Sequence, residues 1–222
     1  MIMSSFRTHA FSLRHSLLQH QKQGVVRQTS LYSSAPGDNK LGEVHSKTLA
    51  WVENYVIGLN LCPFAKVALT SGNLRVKVCP SDQPDDLKHM VLSACEELQK
   101  EGMGTVVVAA PYVKEVADFY DYLDLVGEIN WEMKFEGHEG GIQLATFHPD
   151  YMFADAEADD VSNWTNRSPF PLFHLLREED VEAAVKIYDG NTETIWLNNK
   201  ETVRTLGESA LASIVFSKSE ER

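Results

Sequence analysis

The chain has 222 residues, 43% of them hydrophobic, and carries 20 Lys+Arg against 32 Asp+Glu for a formal net charge of −12. That apolar content is enough to bury a core, which excludes global disorder and a disulfide-dependent miniature scaffold, and no uninterrupted apolar run approaches the ~20 residues that cross a bilayer. The acidic balance argues against duplex nucleic acid or an anionic membrane as the main partner, because both demand a cationic face that displaces counterions.

Charge is unevenly spread. Met1 to Gly37 contains no acidic residue and the four cations Arg7, Arg14, Lys22 and Arg27, which leaves −16 on residues 38–222. The stretch is Ser-rich, and Phe6, Ala10, Leu13 and Leu17 recur at helical spacing with Arg7 and Arg14 on another face. An acid-free, Arg-rich amphipathic N-terminus has the pattern of an organellar presequence, mitochondrial or, as the alternative, plastid. A secretory signal would need a continuous apolar run of 7–15 residues, which polar residues interrupt here. The sequence thus divides into a targeting segment, 1–37, cleaved between Arg27 and Asp38, and one domain, 38–222. Cys62, Cys79 and Cys95 are odd in number and widely spaced, so they form neither a zinc ribbon nor a disulfide framework. Asn163-Trp164-Thr165 and Asn166-Arg167-Ser168 match the glycosylation sequon but read as unmodified without a secretory signal.

Along the domain, Leu49, Val52, Val56 and Leu59 predict an amphipathic helix over about 43–60, ended by Asn60-Leu61-Cys62-Pro63. Arg75 to Cys79 alternates as a strand. Leu87, Val91, Ala94 and Leu98 mark a second helix that Gly102 stops, and Thr105 to Ala110 is a continuous β-branched run suited to a strand buried on both faces. Val116, Phe119, Leu123 and Val126 predict a third helix reaching Lys134, and Ile142 to Phe147 a third strand. Most of His148 to Leu176 is expected to lack regular structure. Val181, Val185 and Tyr188 suggest a short helix, and Val203, Leu206, Ala210 and Ile214 a final one opened by Asn198 as N-cap with Glu201 completing the capping box. The alternation of helices and strands predicts an α/β fold: a small three-layer sandwich whose short, mainly parallel sheet is flanked by helices, with a long irregular loop after the third strand. No Gly-rich phosphate loop is present, which disfavours the nucleotide-binding classes that such loops define.

Ligands of open parallel sheets bind at the carboxyl ends of the strands. The third strand ends at Phe147-His148-Pro149-Asp150-Tyr151, so His148 and Asp150 are candidates for an acid/base pair, or for nothing more than a strand-end and turn pair. Asn166, Arg167 and Ser168 lie between prolines in the long loop, and His174 precedes Arg177 by three residues, which in a helical turn shares a face. Arg167 and Arg177 could clamp a carboxylate or phosphate, or else pair with the surplus acids. Cys62, beside Pro63, is a thiolate nucleophile if a cation lies close and a small buried hydrophobe otherwise.

Asn60-Leu61-Cys62-Pro63-Phe64-Ala65, Phe147-His148-Pro149-Asp150-Tyr151 with Phe153-Ala154, and Asn163-x-Thr165-Asn166-Arg167-Ser168-Pro169-x-Pro171 running into His174-Leu175-Leu176-Arg177-Glu178 together resemble the domain-of-unknown-function family 1415 over most of 44–212. The resemblance implies that Cys62, His148, Asp150, Asn166, Arg167, Ser168, His174 and Arg177 are motif residues, and implies no activity or cofactor. The basic N-terminal extension departs from the shorter, mostly bacterial members.

Three functions follow. One is an enzyme acting on a small anionic ligand, with His148 as acid/base, Asp150 as its orienting carboxylate, Cys62 and His174 as further catalytic groups, and Asn166, Arg167, Ser168 and Arg177 binding substrate. Another is a zinc or iron protein using His148, His174, Asp150 and Cys62. The last is a non-catalytic binding or assembly protein whose motif residues lock the long loop. No cofactor, metal or oligomeric state can be assigned from the residues. The enzyme reading predicts that the sulfur, the imidazoles and Arg167 surround one concave pocket.

Overall fold

The computed structural model describes residues 37–216, so the expected presequence lies outside the described residues except for Gly37. Helix α1 (Asp38–Trp51) runs straight into a π-helical stretch, Val52–Ile57. Val44, Thr48, Trp51, Val52 and Tyr55 face inward. The buried stripe is therefore rotated from the expected one, of which only Val52 is fully buried. Bonds from Gly58 N–H to the Glu53 carbonyl and from Leu61 N–H to the Val56 carbonyl, both 2.9 Å, span five residues and widen the turn.

After a short helix α2 (Ala65–Thr70) that no periodicity announces come β1 (Leu74–Val78), α3 (Pro84–Glu101) and β2 (Thr105–Ala109). A 3₁₀ turn, Lys114–Ala117, leads into α4 (Phe119–Phe135), whose N-cap Asp118 accepts from the Tyr120 and Asp121 N–H groups, and then into β3 (Ile142–Phe147). These strands coincide with the predicted ones to within a residue. Next come a 3₁₀ turn at Val161–Asn166, β4 (Leu172–Arg177), α5 (Glu178–Ile187), α6 (Ile195–Leu206) and α7 (Glu208–Val215).

The four strands form one sheet in the order β1-β2-β4-β3. Since β1 and β2 are parallel and β4 is antiparallel to both β2 and β3, the three expected strands share one direction, with β4 inserted against them. The sheet is thus mixed, where a mainly parallel one was expected. Leu172 opposes Ala109 and Phe147 at the carboxyl edge, and Arg177 opposes Ile142 at the amino edge. Strand β2 has neighbours on both sides and helices over both faces, and all five of its residues are buried, as its unbroken apolar run predicted.

One apolar cluster joins α3 and α4 to Val106, Val108, Phe173 and Leu175 of the sheet. The other joins α1, α6 and α7 to Val107, Ala109 and Leu172. Successive strand residues point to opposite faces, so the alternation along β2 and β4 feeds both clusters. Two local expectations are corrected. His174 and Arg177 are on a strand, where an odd separation puts them on opposite faces, not on one face of a helical turn. The predicted last helix is two: Gly207, at φ 74°, adopts the left-handed conformation that breaks it, and Asn198 lies inside α6 behind the N-cap position of Thr194.

Candidate functional site

The long segment from His148 to Pro171 links the carboxyl end of β3 to the start of β4, and it carries His148, Asp150, Asn163, Asn166, Arg167 and Ser168 of the sequence motifs. The turn that follows the π-helical extension of α1 closes at Asn60, the one non-glycine residue with positive φ (54°) among the described residues, a conformation asparagine tolerates. Leu61 is thereby tucked into the core, and its carbonyl accepts from Asn199 Nδ2 at 2.7 Å. The wide π turn also aims two side chains at the loop. Trp51 Nε1 donates to the Arg167 carbonyl at 3.1 Å, and the Tyr55 hydroxyl donates to the Trp164 carbonyl at 2.6 Å.

His148 is 1% exposed and packs against Phe119 and Tyr122, with ring centroids at 5.3 and 5.0 Å. Its Nε2 donates to the Val116 carbonyl at 2.9 Å, and its Nδ1 accepts the Asp150 N–H at 3.0 Å. A carbonyl only accepts and an amide N–H only donates, so these partners assign the neutral ring with its proton on Nε2. Burial pushes the imidazole pKa below its ordinary value, outweighing the Val116 carbonyl and the carboxylates of Asp150 and Asp118 that push it up. Asp150 thus meets His148 through its backbone amide, and its side chain is exposed. The His148 backbone also bridges the two ends of the loop, through its N–H to the Asn166 carbonyl at 3.3 Å and its carbonyl to the Ser168 N–H at 3.4 Å.

Asn163, Asn166 and Ser168 are likewise bonded to backbone groups of the fold, whereas the buried Arg167 Nε has no hydrogen-bond partner among the described residues. Asn163, fully buried, accepts from the Phe153 N–H at 3.0 Å and donates to the Glu157 carbonyl at 2.8 Å. That leaves its amide no access to a glycosylating enzyme in the folded state. Asn166 Nδ2 donates to the Thr146 carbonyl at 3.3 Å, and the buried Ser168 hydroxyl donates to the Phe170 carbonyl at 2.6 Å. The Arg167 guanidinium stacks 4.7 Å from the Trp164 ring centroid and donates to the Ala158 carbonyl at 3.4 Å. Trp51, Tyr55 and Asn163 were not singled out as site residues. Asn163 stands in one of the sequence motifs, whereas Trp51 and Tyr55 stand in none, so no sequence pattern marks them.

Arg177 is not a neighbour of Arg167. Strand β4 separates them, a span of about 16 Å for its length, and Arg177 closes the opposite edge by donating to the Gly102 carbonyl, to Asp180 at 2.9 Å and to Glu179 at 2.7 Å. Asp180 in turn accepts from the Gly104 N–H at 3.1 Å. The expected anion clamp therefore does not form. Nor do the two imidazoles meet. His148 packs against Phe119 and Tyr122, members of the cluster under α3 and α4, whereas His174 points to the other face, beside Phe147 and 2.7 Å from Thr105 Oγ1. Thr105 donates to the Leu175 carbonyl at 2.6 Å, and burial alone pushes His174 down to about 4. Cys62 lies half-buried in the turn before α2. Burial pushes its thiol up, against the backbone N–H groups of Phe64 and Ala65 that favour the thiolate.

None of the eight candidate residues lines either of two clefts on the surface of the described residues. One, of about 200 Å³, lies between α1, Pro169-Phe170 and Phe216; the other, of about 370 Å³, lies at the carboxyl end of β1 beside His89 and Asp86. Among the described residues no group of three His, Cys, Asp or Glu is placed to hold a metal ion, and no helix is long and apolar enough to cross a membrane. A family model described as "Protein of unknown function (DUF1415)" matches residues 43–213. No curated protein and no solved structure matches the chain.

Proposed function

We propose, from the premise that this chain belongs to the DUF1415 family of proteins of unknown function, that it is a non-catalytic binding or assembly protein whose motif residues lock a long loop into one shape. The observation that carries this reading is the His148 ring, both of whose nitrogens are taken by backbone groups inside the fold. A general acid or base needs a ring nitrogen within reach of substrate, and an orienting carboxylate would have to occupy the Nδ1 position that the Asp150 amide fills. Asn163, Asn166 and Ser168 support the same reading, since each donates its side-chain hydrogen bond to a carbonyl of the loop or of β3. We read the body as three-layered, with the locked loop as the fixed rim on its carboxyl edge.

Limited proteolysis with an acid-specific protease tests the lock. Glu157 is exposed but held through its carbonyl by Asn163, so the wild-type chain should resist cutting there, and Asn163→Ala should be cut at least tenfold faster. Equal rates would defeat the reading. So would thermal stabilisation of the wild-type chain by several degrees with phosphate or a dicarboxylate, lost in an Arg167→Ala variant of unchanged melting temperature, because that result belongs to a substrate site.

The N-terminal segment supports import into an organelle, with the mitochondrion favoured over the plastid, because an acid-free cationic segment joined to a domain of net charge −16 is drawn by a membrane potential while the domain is not. Labelled full-length chain offered to isolated mitochondria should be shortened by 27 to 37 residues, and Arg7→Glu/Arg14→Glu should abolish the shortening. A full-length product left outside would end this assignment.

A further inference from the structure

The outer face of α4 is an aromatic stripe that nothing in the described fold covers. Phe119, Tyr122, Val126, Ile129 and Met133 turn into the core, so the opposite side of the helix carries Tyr120, Asp124, Gly127, Trp131 and Phe135, all exposed. Trp131 is 65% and Phe135 79% exposed, and their rings stack on each other at 5.6 Å. At the middle of the stripe a Cβ added to Gly127 would meet nothing within 4 Å, so the face is flat and open there. Asp121, Asp124 and Glu128 rim it. The only cation on α4 itself is Lys134, and Lys88 of α3 reaches in to Glu128 at 3.4 Å. An apolar stripe with an acidic rim calls for an occupant that is apolar on one side and cationic on the other.

We infer that this face of α4 docks the chain's own N-terminal segment, residues 1–36. Charge selects it: that segment holds four cations and no acid, and the rest of the chain is at −16. Its apolar positions Phe6, Ala10, Leu13 and Leu17 repeat at helical spacing, and as a helix they would span about 17 Å against about 22 Å from Tyr120 to Phe135. The residues between Leu17 and Gly37 can extend ~60 Å or more, enough to reach any point on a domain of this size. The same charge argument disfavours a second copy, which would set acidic rim against acidic rim. It also disfavours the exposed Trp196 of α6 as the docking face, because Lys200 already sits 4.9 Å from that ring. The inference goes beyond the loop-locking and import readings and concerns the uncleaved chain, whatever becomes of the segment later.

Zero-length carbodiimide cross-linking of the full-length protein, mapped by mass spectrometry on a mixture of isotopically labelled and unlabelled chains, tests it. Links from the Lys22 and N-terminal amines should concentrate on Asp121, Asp124 and Glu128, stay within one chain, and fall at least fivefold in 0.5 M salt. Trp131→Ser, at a surface position, should give the same fall with an unchanged melting temperature, as should Arg7→Glu/Arg14→Glu. Links scattered over the acidic surface, or links between labelled and unlabelled chains, would overturn the inference; the second result would identify another copy as the occupant.

Discussion

Replacing His148 by alanine should cost the folded chain about 4 kcal/mol, the largest single-residue effect expected here. The substitution strands the Val116 carbonyl and the Asp150 amide inside the protein, at about 1–3 kcal/mol each, and it empties the space that the ring fills between Phe119 and Tyr122. It also unfastens the residue whose backbone bridges Asn166 and Ser168, so the loop should loosen with it. Asp150→Ala makes the contrast. Its carboxylate is exposed, and its amide survives the substitution, so stability should change by no more than ~0.5 kcal/mol. Denaturant unfolding followed by circular dichroism reads both. A His148→Ala variant within ~1 kcal/mol of wild type would remove the structural role assigned to the ring.

The second large effect is a loss of stability in mild acid. Both His148 and His174 are held below their ordinary range by burial, His174 down to about 4. In the unfolded chain each imidazole takes up a proton near its ordinary value of ~6.5. The unfolded state therefore binds more protons than the folded one between that value and about 4, and stability falls as pH falls through the window. It is fully present above ~6.5. The His174 shift alone corresponds to about 3 kcal/mol, reduced to about 2 because the residue keeps some solvent exposure. The denaturation midpoint should be level from pH 8 to 7 and decline steadily from pH 6.5 to 5, before the carboxylates titrate. His174→Gln should flatten the decline even if it lowers the midpoint overall. A midpoint that does not move between pH 7 and 5 would contradict the buried, neutral state of both rings.

The imidazoles also show where reading residues in a row stops being informative. That His148 follows a strand at the carboxyl edge is visible in the alternation before it and in Pro149 after it. That its ring turns under α4 while the ring of His174 turns to the opposite face is not. The Nε2 partner of His148 is 32 residues away, the loop carbonyl that Tyr55 caps is 109 residues away, and no spacing rule reaches such distances. Strand β4 was hidden for a related reason. Leu172-Phe173-His174-Leu175-Leu176 has neither strict alternation nor helical period, because both its faces are covered, and a short apolar run of that kind becomes a strand only when neighbours supply hydrogen bonds on each side.

The order of residues by itself determined the uneven charge, with four cations and no acid through Gly37 and the surplus of acids beyond it, and it determined the three strands that share one direction and the helices between them. It also determined the family, because long motifs in a set order are local patterns of side-chain type. Tertiary structure alone decided that β4 enters the sheet antiparallel, that Arg167 and Arg177 stand at opposite edges, and that His148, Asn163, Asn166 and Ser168 spend their side-chain hydrogen bonds on the chain's own backbone. Periodicity is a property of neighbours along the chain, whereas a buried polar group takes whichever partner the packed fold brings within 3 Å.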